Sequence, residues 1–214
     1  MIRIFIVDDH PVVIEGIHAL LMNEKDIAWV GQAMNAASCL GFFVNNTADV
    51  ILMDISMPGM DGIELCGVMK NKYPGIFILG LSTFNQGIYI KKMMENGASG
   101  YILKKTSPAQ LIEAIEEVNG GGSPMSPGVA NKVLHLFQQF VPKGKSVPSE
   151  VALLTIREKE ILSLMMEGHN YQAIAKKLFI SYDTVRTHVR SIYKKLHVAS
   201  VNQAIVKAFK QRLV

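Results

Sequence analysis

The chain has two cysteines in 214 residues, Cys39 and Cys66, far apart and both in segments that read as helix. That is too few for a disulfide framework, and buried thiols in a reducing cytoplasm are the expectation. No apolar run approaches the length needed to cross a bilayer, so no membrane partner is expected. The first residues do not combine a basic stretch, a long apolar core and a cleavage site, so no export signal is expected. A hydrophobic share of 49% leaves no room for a largely disordered chain.

Charge of either sign is modest overall, but it is unevenly placed. Residues 1–125 hold 8 Lys+Arg against 13 Asp+Glu, a net of −5, and the rest holds 14 against 5, a net of +9. The overall +4 therefore hides an acidic half and a basic half, and the basic one calls for a polyanionic partner.

The first half alternates. Short apolar runs at Ile2 to Val7, Ile27 to Met34, Val50 to Met53, Ile76 to Leu81 and Gly100 to Leu103 read as strands. Helical spacing separates them, over Pro11 to Met22, Ala36 to Asn46, Gly62 to Lys72, Gln86 to Asn96 and Pro108 to Asn119. Five such repeats predict an α/β fold, a five-stranded doubly wound parallel sheet with right-handed crossovers. In that fold ligands sit outside the carboxyl ends of the strands. Gly120 to Pro124 closes the unit, predicting a first domain over 1–122. A linker over 123–150 follows, with a helical stripe at Gly128 to Phe140 and an exposed, Pro- and Lys-containing stretch at Val141 to Glu150. The remaining 151–214 is long enough only for a small all-α domain. Its helices are expected near Ile156 to Glu167, Tyr171 to Leu178, Asp183 to Leu196 and Ser200 to Arg212.

The stretch Asp49 to Gly62, DVILMDISMPGMDG, carries the chemistry. Its apolar run ends on Asp54 and breaks into a Pro- and Gly-rich loop. A lone aspartate there would read as a turn cap. Two other strands also end in polar groups, however: Ile4 to Val7 in Asp8 and Asp9, and Ile76 to Leu81 in Ser82 and Thr83. Three converging carboxylates repel one another unless a divalent cation joins them. Oxygen ligands, with no sulfur or imidazole among them, favour Mg²⁺. Lys104, at the end of the fifth strand, supplies a cation for a carboxylate or phosphoryl oxygen, and Ser82 a hydroxyl donor. The set describes phosphoryl transfer to a carboxylate, with Asp54 the nucleophile.

VDDH, MDISMPGMDG, LST and GYILKK, in that order and spacing, resemble the receiver domain of bacterial two-component response regulators, a flavodoxin-like fold. The resemblance implies that Asp54 takes a phosphoryl group from a sensor histidine kinase. It implies Mg²⁺ on Asp9, Asp54 and the backbone carbonyl of Ser56, with Asp8 acting partly through water. It also implies Lys104 on the phosphoryl group, with Ser82 and Tyr101 as the switch pair. Two departures from many receivers stand out: Lys105 stands where a Pro is common, and Ser56 and Phe84 flank the path of a hydrolytic water.

In the basic half, Thr155 with Glu158 predicts a capping box, and Gly168 a helix end. Tyr171 to Leu178, a tight turn, and Asp183 to Leu196 form a helix-turn-helix pattern. Val185, Val189, Ile192 and Leu196 are spaced to face a core, leaving Arg186, Thr187, His188, Arg190 and Lys194 outward. A single basic helix face can be mere solvated surface; within a half-chain at +9 it reads as a DNA-groove face. The segment Leu154 to Ala208 resembles the LuxR-type helix-turn-helix. That implies Arg186, Thr187 and Arg190 at base edges, with Thr184, Lys194 and Lys195 near phosphates. It implies dimerisation through the last helix. Ser191, His197 and Val201 depart from the usual Asn, Gly and Arg.

Together the two resemblances point to the NarL/FixJ response regulators: phosphorylation-controlled transcription factors that dimerise on activation and bind paired half-sites in double-stranded DNA. An Asp-based phosphatase would need an acid two residues past its nucleophile, where Ser56 stands. A third reading, a receiver kept only as an inactive dimer scaffold, sits poorly with a complete carboxylate set.

Overall fold

The computed structural model describes residues 1–83, 85–126, 128–129, 154–211 and 213. The expected helix at Gly128 to Phe140, apart from its first two residues, and the expected linker at 141–150 lie outside these, as does Phe84.

The first half folds as β1 (Ile2–Val7), α1 (Pro11–Leu21), β2 (Ile27–Ala33), α2 (Ala36–Phe42), β3 (Val50–Asp54), α3 (Gly62–Lys72), β4 (Phe77–Ser82), α4 (Gly87–Glu95), β5 (Gly100–Leu103) and α5 (Pro108–Asn119). All pairings are parallel, in the order β2-β1-β3-β4-β5. Alternation along each strand sorts the core into two layers. Ile4, Ile6, Val50, Leu52, Leu79 and Ile102 pack against α1 and α5. Phe5, Val7, Ile51, Met53, Ile78 and Tyr101 pack against α2, α3 and α4. Every residue of β3 is buried. Each of its aliphatic side chains contributes about 1.5–3 kcal/mol of burial, which is why the middle strand tolerates no polar residue before its end. Among the described residues, no helix is long and apolar enough to cross a membrane.

The second half forms α6 (Ile156–Met166), α7 (Tyr171–Leu178), α8 (Tyr182–Leu196) and α9 (Val201–Gln211). The expected capping box is present: Thr155 N donates to Glu158 Oε2 at 2.7 Å, and Glu158 N to Thr155 Oγ1 at 3.2 Å. Phe179 ends α7 with φ 54°, a left-handed conformation unusual for a bulky side chain, and the tight turn it makes aims α8 across α7.

The two halves pack together. Beyond α5 the chain runs along β5, with Tyr101 N donating to Pro124 O at 3.0 Å and Ser126 N to Tyr101 O at 3.3 Å. Gly121, at φ 83°, lies under the Tyr171 ring, where any Cβ would collide. Tyr171 N donates to Gly120 O at 2.8 Å, and the Tyr182 hydroxyl to Asn119 O at 2.6 Å. The α1/α5-side core thereby continues through Phe77 and Tyr171 into the helical domain.

Candidate functional site

Sheet register builds the acidic site. Val7 pairs with Met53, so the next residues, Asp8 and Asp54, emerge side by side from β1 and β3. Asp54 pairs with Leu81 and Ser82 with Leu103, which sets Ser82 and then Lys104 along the same edge. Between β1 and β3 the strand order reverses, the crevice where a doubly wound sheet presents its chemistry. Gly62 lets α3 start against β3, because a Cβ there would collide with the Asp54 carbonyl.

Asp8, Asp54 and Ser82 are buried, and Asp9 is half-buried. Lys104 Nζ lies 2.6 Å from Asp8 Oδ2 and 3.1 Å from Asp54 Oδ1. Asp54 Oδ1 also accepts from Ile55 N at 2.9 Å, and the Ser56 N–H donates to the same carboxylate. Burial pushes the Asp54 carboxyl above its usual range; Lys104 opposes this and the Asp8 charge adds to it. For Lys104 burial alone would lower the ammonium, but the Asp8 and Asp54 carboxylates hold it above its ordinary value.

The donor set fits a hard divalent cation. Asp8 Oδ2 and Asp9 Oδ1 are buried without a well-oriented hydrogen bond, and their close contacts are ion pairs. The sequence-based expectation names oxygen donors alone, and the structure sets an imidazole beside them. His10 joins Asp8, Asp9 and Asp54, the four offering ligand atoms within 4.8 Å of one another. Its adjacency in VDDH was the available signal.

Ser82 and Tyr101 stand on neighbouring strands and share a side-chain hydrogen bond, with the Tyr101 ring fully buried. Burial raises the Tyr101 phenol, an effect the Ser82 hydroxyl partly offsets.

On α8, Val185, Val189, Ile192 and Leu196 face the helical core as the spacing predicts, and Tyr193 joins them. The outward set divides. Thr187 and Lys194 are exposed, and His188 is half-buried. Thr187 Oγ1 donates to Asp183 O at 2.9 Å, and Thr184 sits at the Ser181 cap. Lys195 is engaged within its own domain, 2.7 Å from Glu158 Oε2, rather than on the outward face. Arg186, half-buried, meets the first domain, and Arg190 lies near it while staying exposed. The Arg186 guanidinium covers the Phe77 ring, and a Cβ on Gly75 would come within 3.1 Å of Arg190 Nη2.

A polar clasp holds α9 to α4 and β5. Asn202 Nδ2 lies 3.3 Å from Ser99 O, its Oδ1 accepts from Ser123 Oγ at 2.9 Å, and Gln203 Nε2 donates to Glu95 O at 2.7 Å. Helical spacing marks Asn202 and Gln203 only as polar positions, so nothing local reveals their partners.

Residues 4–116 match the family model for the response regulator receiver domain, and residues 152–208 that for bacterial regulatory proteins of the luxR family. The transcriptional regulatory protein LiaR of Bacillus subtilis is 36% identical over 214 residues, covering all of both chains. DegU of Brevibacillus brevis is 32% identical over 98% of this chain and 93% of its own. Among solved structures, the response regulator ChrA of a heme-sensing two-component system is 35% identical, with a TM-score of 0.52 over 100% of this chain and 98% of that one. RcsB in a complex with DNA is 25% identical, with a TM-score of 0.59 over 98% of each chain. A receiver domain followed by a LuxR-type DNA-binding domain, with full-length relatives of the same build, makes this chain a member of the response regulators, the transcriptional regulators of two-component systems.

Proposed function

We propose that the chain is switched by phosphorylation of Asp54 from a closed form that withholds α8 to an open form that dimerises and binds paired DNA half-sites. The observation that carries this reading is the register-set array of Asp8, Asp54, Ser82 and Lys104 at one sheet edge. The phosphoryl donor is a sensor histidine kinase, and both partners meet the chain in the cytoplasm. Asp8, Asp9, Asp54 and the Ser56 carbonyl would hold Mg²⁺, which supplies positive charge to the acidic groups and to phosphoryl oxygens.

An oxygen of Asp54 attacks phosphorus, the bond to the donor's imidazole breaks, and the aspartyl phosphate forms. Lys104, already bridging Asp8 and Asp54, has only to shift its ammonium onto a phosphoryl oxygen. Ser82 turns its hydroxyl to the new group and gives up Tyr101. Tyr101 is then free to repack beside α4, the helix whose far end Gln203 grips. Loss of that grip uncovers Arg186 and lets α8 turn it, with the already exposed Arg190 and Thr187, to base edges. Thr184, His188 and Lys194 complete the face on the DNA. Lys195 supports it from within through Glu158. The domain limits that follow are 1–122 for the receiver, 123–150 for the linker and 151–214 for the DNA-binding domain.

The test is Asp54→Ala with a small phosphodonor and Mg²⁺. Wild type gains a phosphoryl group, shifts towards dimers and binds paired sites more tightly, whereas the variant does none of these. Phosphoryl uptake by the variant, or wild-type DNA affinity indifferent to the donor, overturns the assignment.

A further inference from the structure

Three helices of the second domain end in the same backbone motif. The chain turns left-handed past α6 at Gly168 (φ 85°), past α7 at Phe179 (φ 54°) and past α8 at His197 (φ 49°). At each end two backbone N–H groups fold back onto the last turn. Past α7 they run from Phe179 N to Lys176 O at 3.4 Å and from Ile180 N to Ala175 O at 3.1 Å. Glycine holds this position without strain, and histidine visits it more readily than most side chains, whereas phenylalanine there is a steric outlier. Burial does not offset that cost, because Phe179 is 94% exposed, while Ile180 beside it packs on the helical core. Backbone strain of this kind collects at functional sites.

The surroundings of the ring say what covers it. Phe179 stands two residues before Ser181, the N-cap of α8, and so borders the end of that helix whose first residues meet the nucleic acid. Lys176 and Lys177 precede it, both exposed, and no acidic residue occurs from Gly168 to Tyr182. An apolar ring on a cationic rim, continuous with the face of α8, suits a DNA backbone, where hydrocarbon sugar faces alternate with phosphates. We propose that Phe179 is a DNA contact: its ring lies against deoxyribose at the edge of the major groove that α8 enters, and it positions that helix on the duplex. The inference rests on the reading of α8 as the groove helix and adds an apolar contact that none of its charged or polar side chains supplies. Contacts to sugar and phosphate fix register and orientation without reading sequence. Unlike the half-buried Arg186, the ring is already uncovered in the closed form.

Full-length wild type, Phe179→Asn, Phe179→Tyr and Arg190→Ala, all treated alike with a small phosphodonor and Mg²⁺, would be titrated against a random-sequence DNA duplex. Asparagine tolerates the left-handed conformation, so Phe179→Asn is expected to melt no lower than wild type. Its affinity for the duplex is expected to fall about fivefold, as loss of a partly buried ring implies. The salt dependence of its binding is expected to stay that of wild type, because an apolar contact releases no counterion. Phe179→Tyr restores the ring and is expected to match wild type. Arg190→Ala is expected to weaken binding and flatten the salt dependence. A loss confined to Arg190→Ala overturns the inference and leaves the groove helix standing; no loss in either variant overturns both. A loss in Phe179→Asn that comes with a lower melting temperature, or that Phe179→Tyr shares, assigns the ring to the fold and overturns the inference as well.

Discussion

The guanidinium carbon of Arg186 lies 5.9 Å from the centroid of the Phe77 ring. A side chain suited to bidentate contact with guanine is thus seated on the first residue of β4, in the other domain. Asp49 lies at the same place: burial alone would raise its carboxyl, but Arg3 chiefly, and Arg186 in addition, hold it below the usual range. Phe77→Leu keeps an aliphatic core residue and removes the aromatic face. A cation over a ring contributes about 0.5–1 kcal/mol at such a site, or roughly two- to fivefold in an equilibrium. Unphosphorylated Phe77→Leu is expected to bind DNA more tightly by about that factor in gel shifts, while the phosphorylated protein is unchanged. Equal affinities in the resting state would show that this contact does not restrain α8.

The clasp from α9 makes a stronger prediction. Asn202 and Gln203 together reach Ser99 O, Ser123 Oγ and Glu95 O. Net contributions of about 0.5–1.5 kcal/mol for each of these three hydrogen bonds mean that Asn202→Ala with Gln203→Ala weakens closure by about 1.5–4.5 kcal/mol. The double variant should be cleaved faster between its domains by a trace of protease. It should also need less phosphodonor to reach half-maximal DNA binding. Unchanged cleavage and an unchanged donor requirement would mean that the clasp follows closure without driving it.

How much was legible in the sequence depends on how local each signal is. Asp8, Asp54 and Lys104 could be found because each directly ends an apolar run, and parallel register does the rest. Helix ends were close because Thr155, Ser107 and Gly168 carry their capping signals within three or four residues. β4 slips by one, from Ile76 to Phe77, and α2 stops at Phe42 instead of Asn46. The α2 difference has a physical cause: Phe42 and Phe43 turn inward onto Phe5, and the chain must leave the helix to begin β3. Tyr182, Asn202, Lys195 and His10 were not legible in their partners. Periodicity says which way a side chain faces along its own helix; Tyr182, Asn202 and Lys195 are defined by what another element places there, and His10 by a turn that periodicity does not describe.

Lys104 Nζ lies 2.6 Å from Asp8 Oδ2 and 3.1 Å from Asp54 Oδ1, where its charge offsets part of their repulsion. Lys104→Met leaves two buried carboxylates facing one another, so the metal-free protein should melt several degrees lower than wild type. Binding that is confined to the folded state stabilises it by mass action. Millimolar Mg²⁺ should therefore raise the melting temperature of the variant more than that of wild type, and a chelator should reverse the gain. Equal Mg²⁺ shifts would argue against a shared charge balance. Phosphodonor-dependent DNA binding should be lost in the variant whatever its stability.

Lys195 and Glu158 set the acid limit of the DNA-binding domain. Burial alone would raise Glu158, but its hydrogen bonds to Lys195 first, and then to Thr155, hold it below its ordinary value. A carboxyl lowered on folding stabilises above its unfolded value and loses that contribution as pH falls through its folded one. Lys195 is one-third exposed, which limits the ion pair to about 1–2 kcal/mol. Lys195→Met should therefore lower unfolding free energy by about that much at pH 7 and by much less near pH 3. A deficit of constant size across that range would assign the loss to packing.

Lys70 makes closure sensitive to alkali. It is 3% exposed, with Nζ donating to Pro74 O at 3.1 Å and Ile76 O at 2.8 Å, at the cleft between α3 and the C-terminal end of α8. Burial lowers its ammonium to about 8, from an ordinary 10.5. The groups around it are Cys66 and Asn71 on α3, Glu95 on α4, and Tyr193, Lys194 and His197 from α8 and its cap. Cys66 is pushed up by burial to about 12 and Tyr193 well above its usual value, so neither gains charge between pH 7 and 9.5. A lysine lowered in the closed form binds its proton less readily there than when the domains separate. Below pH 8 the buried charge opposes closure, by up to about 3 kcal/mol if separation fully rehydrates it. Above pH 8 the closed form sheds the proton and that opposition fades. DNA affinity of the unphosphorylated protein should accordingly fall from pH 7.5 to 9.5, by at most about tenfold per pH unit. Lys70→Met carries no titrating group, so its resting-state DNA affinity should stay low and nearly flat across that range. If Lys70→Met and wild type fall in parallel, the ammonium is already dehydrated by the receiver alone, and closure is indifferent to it.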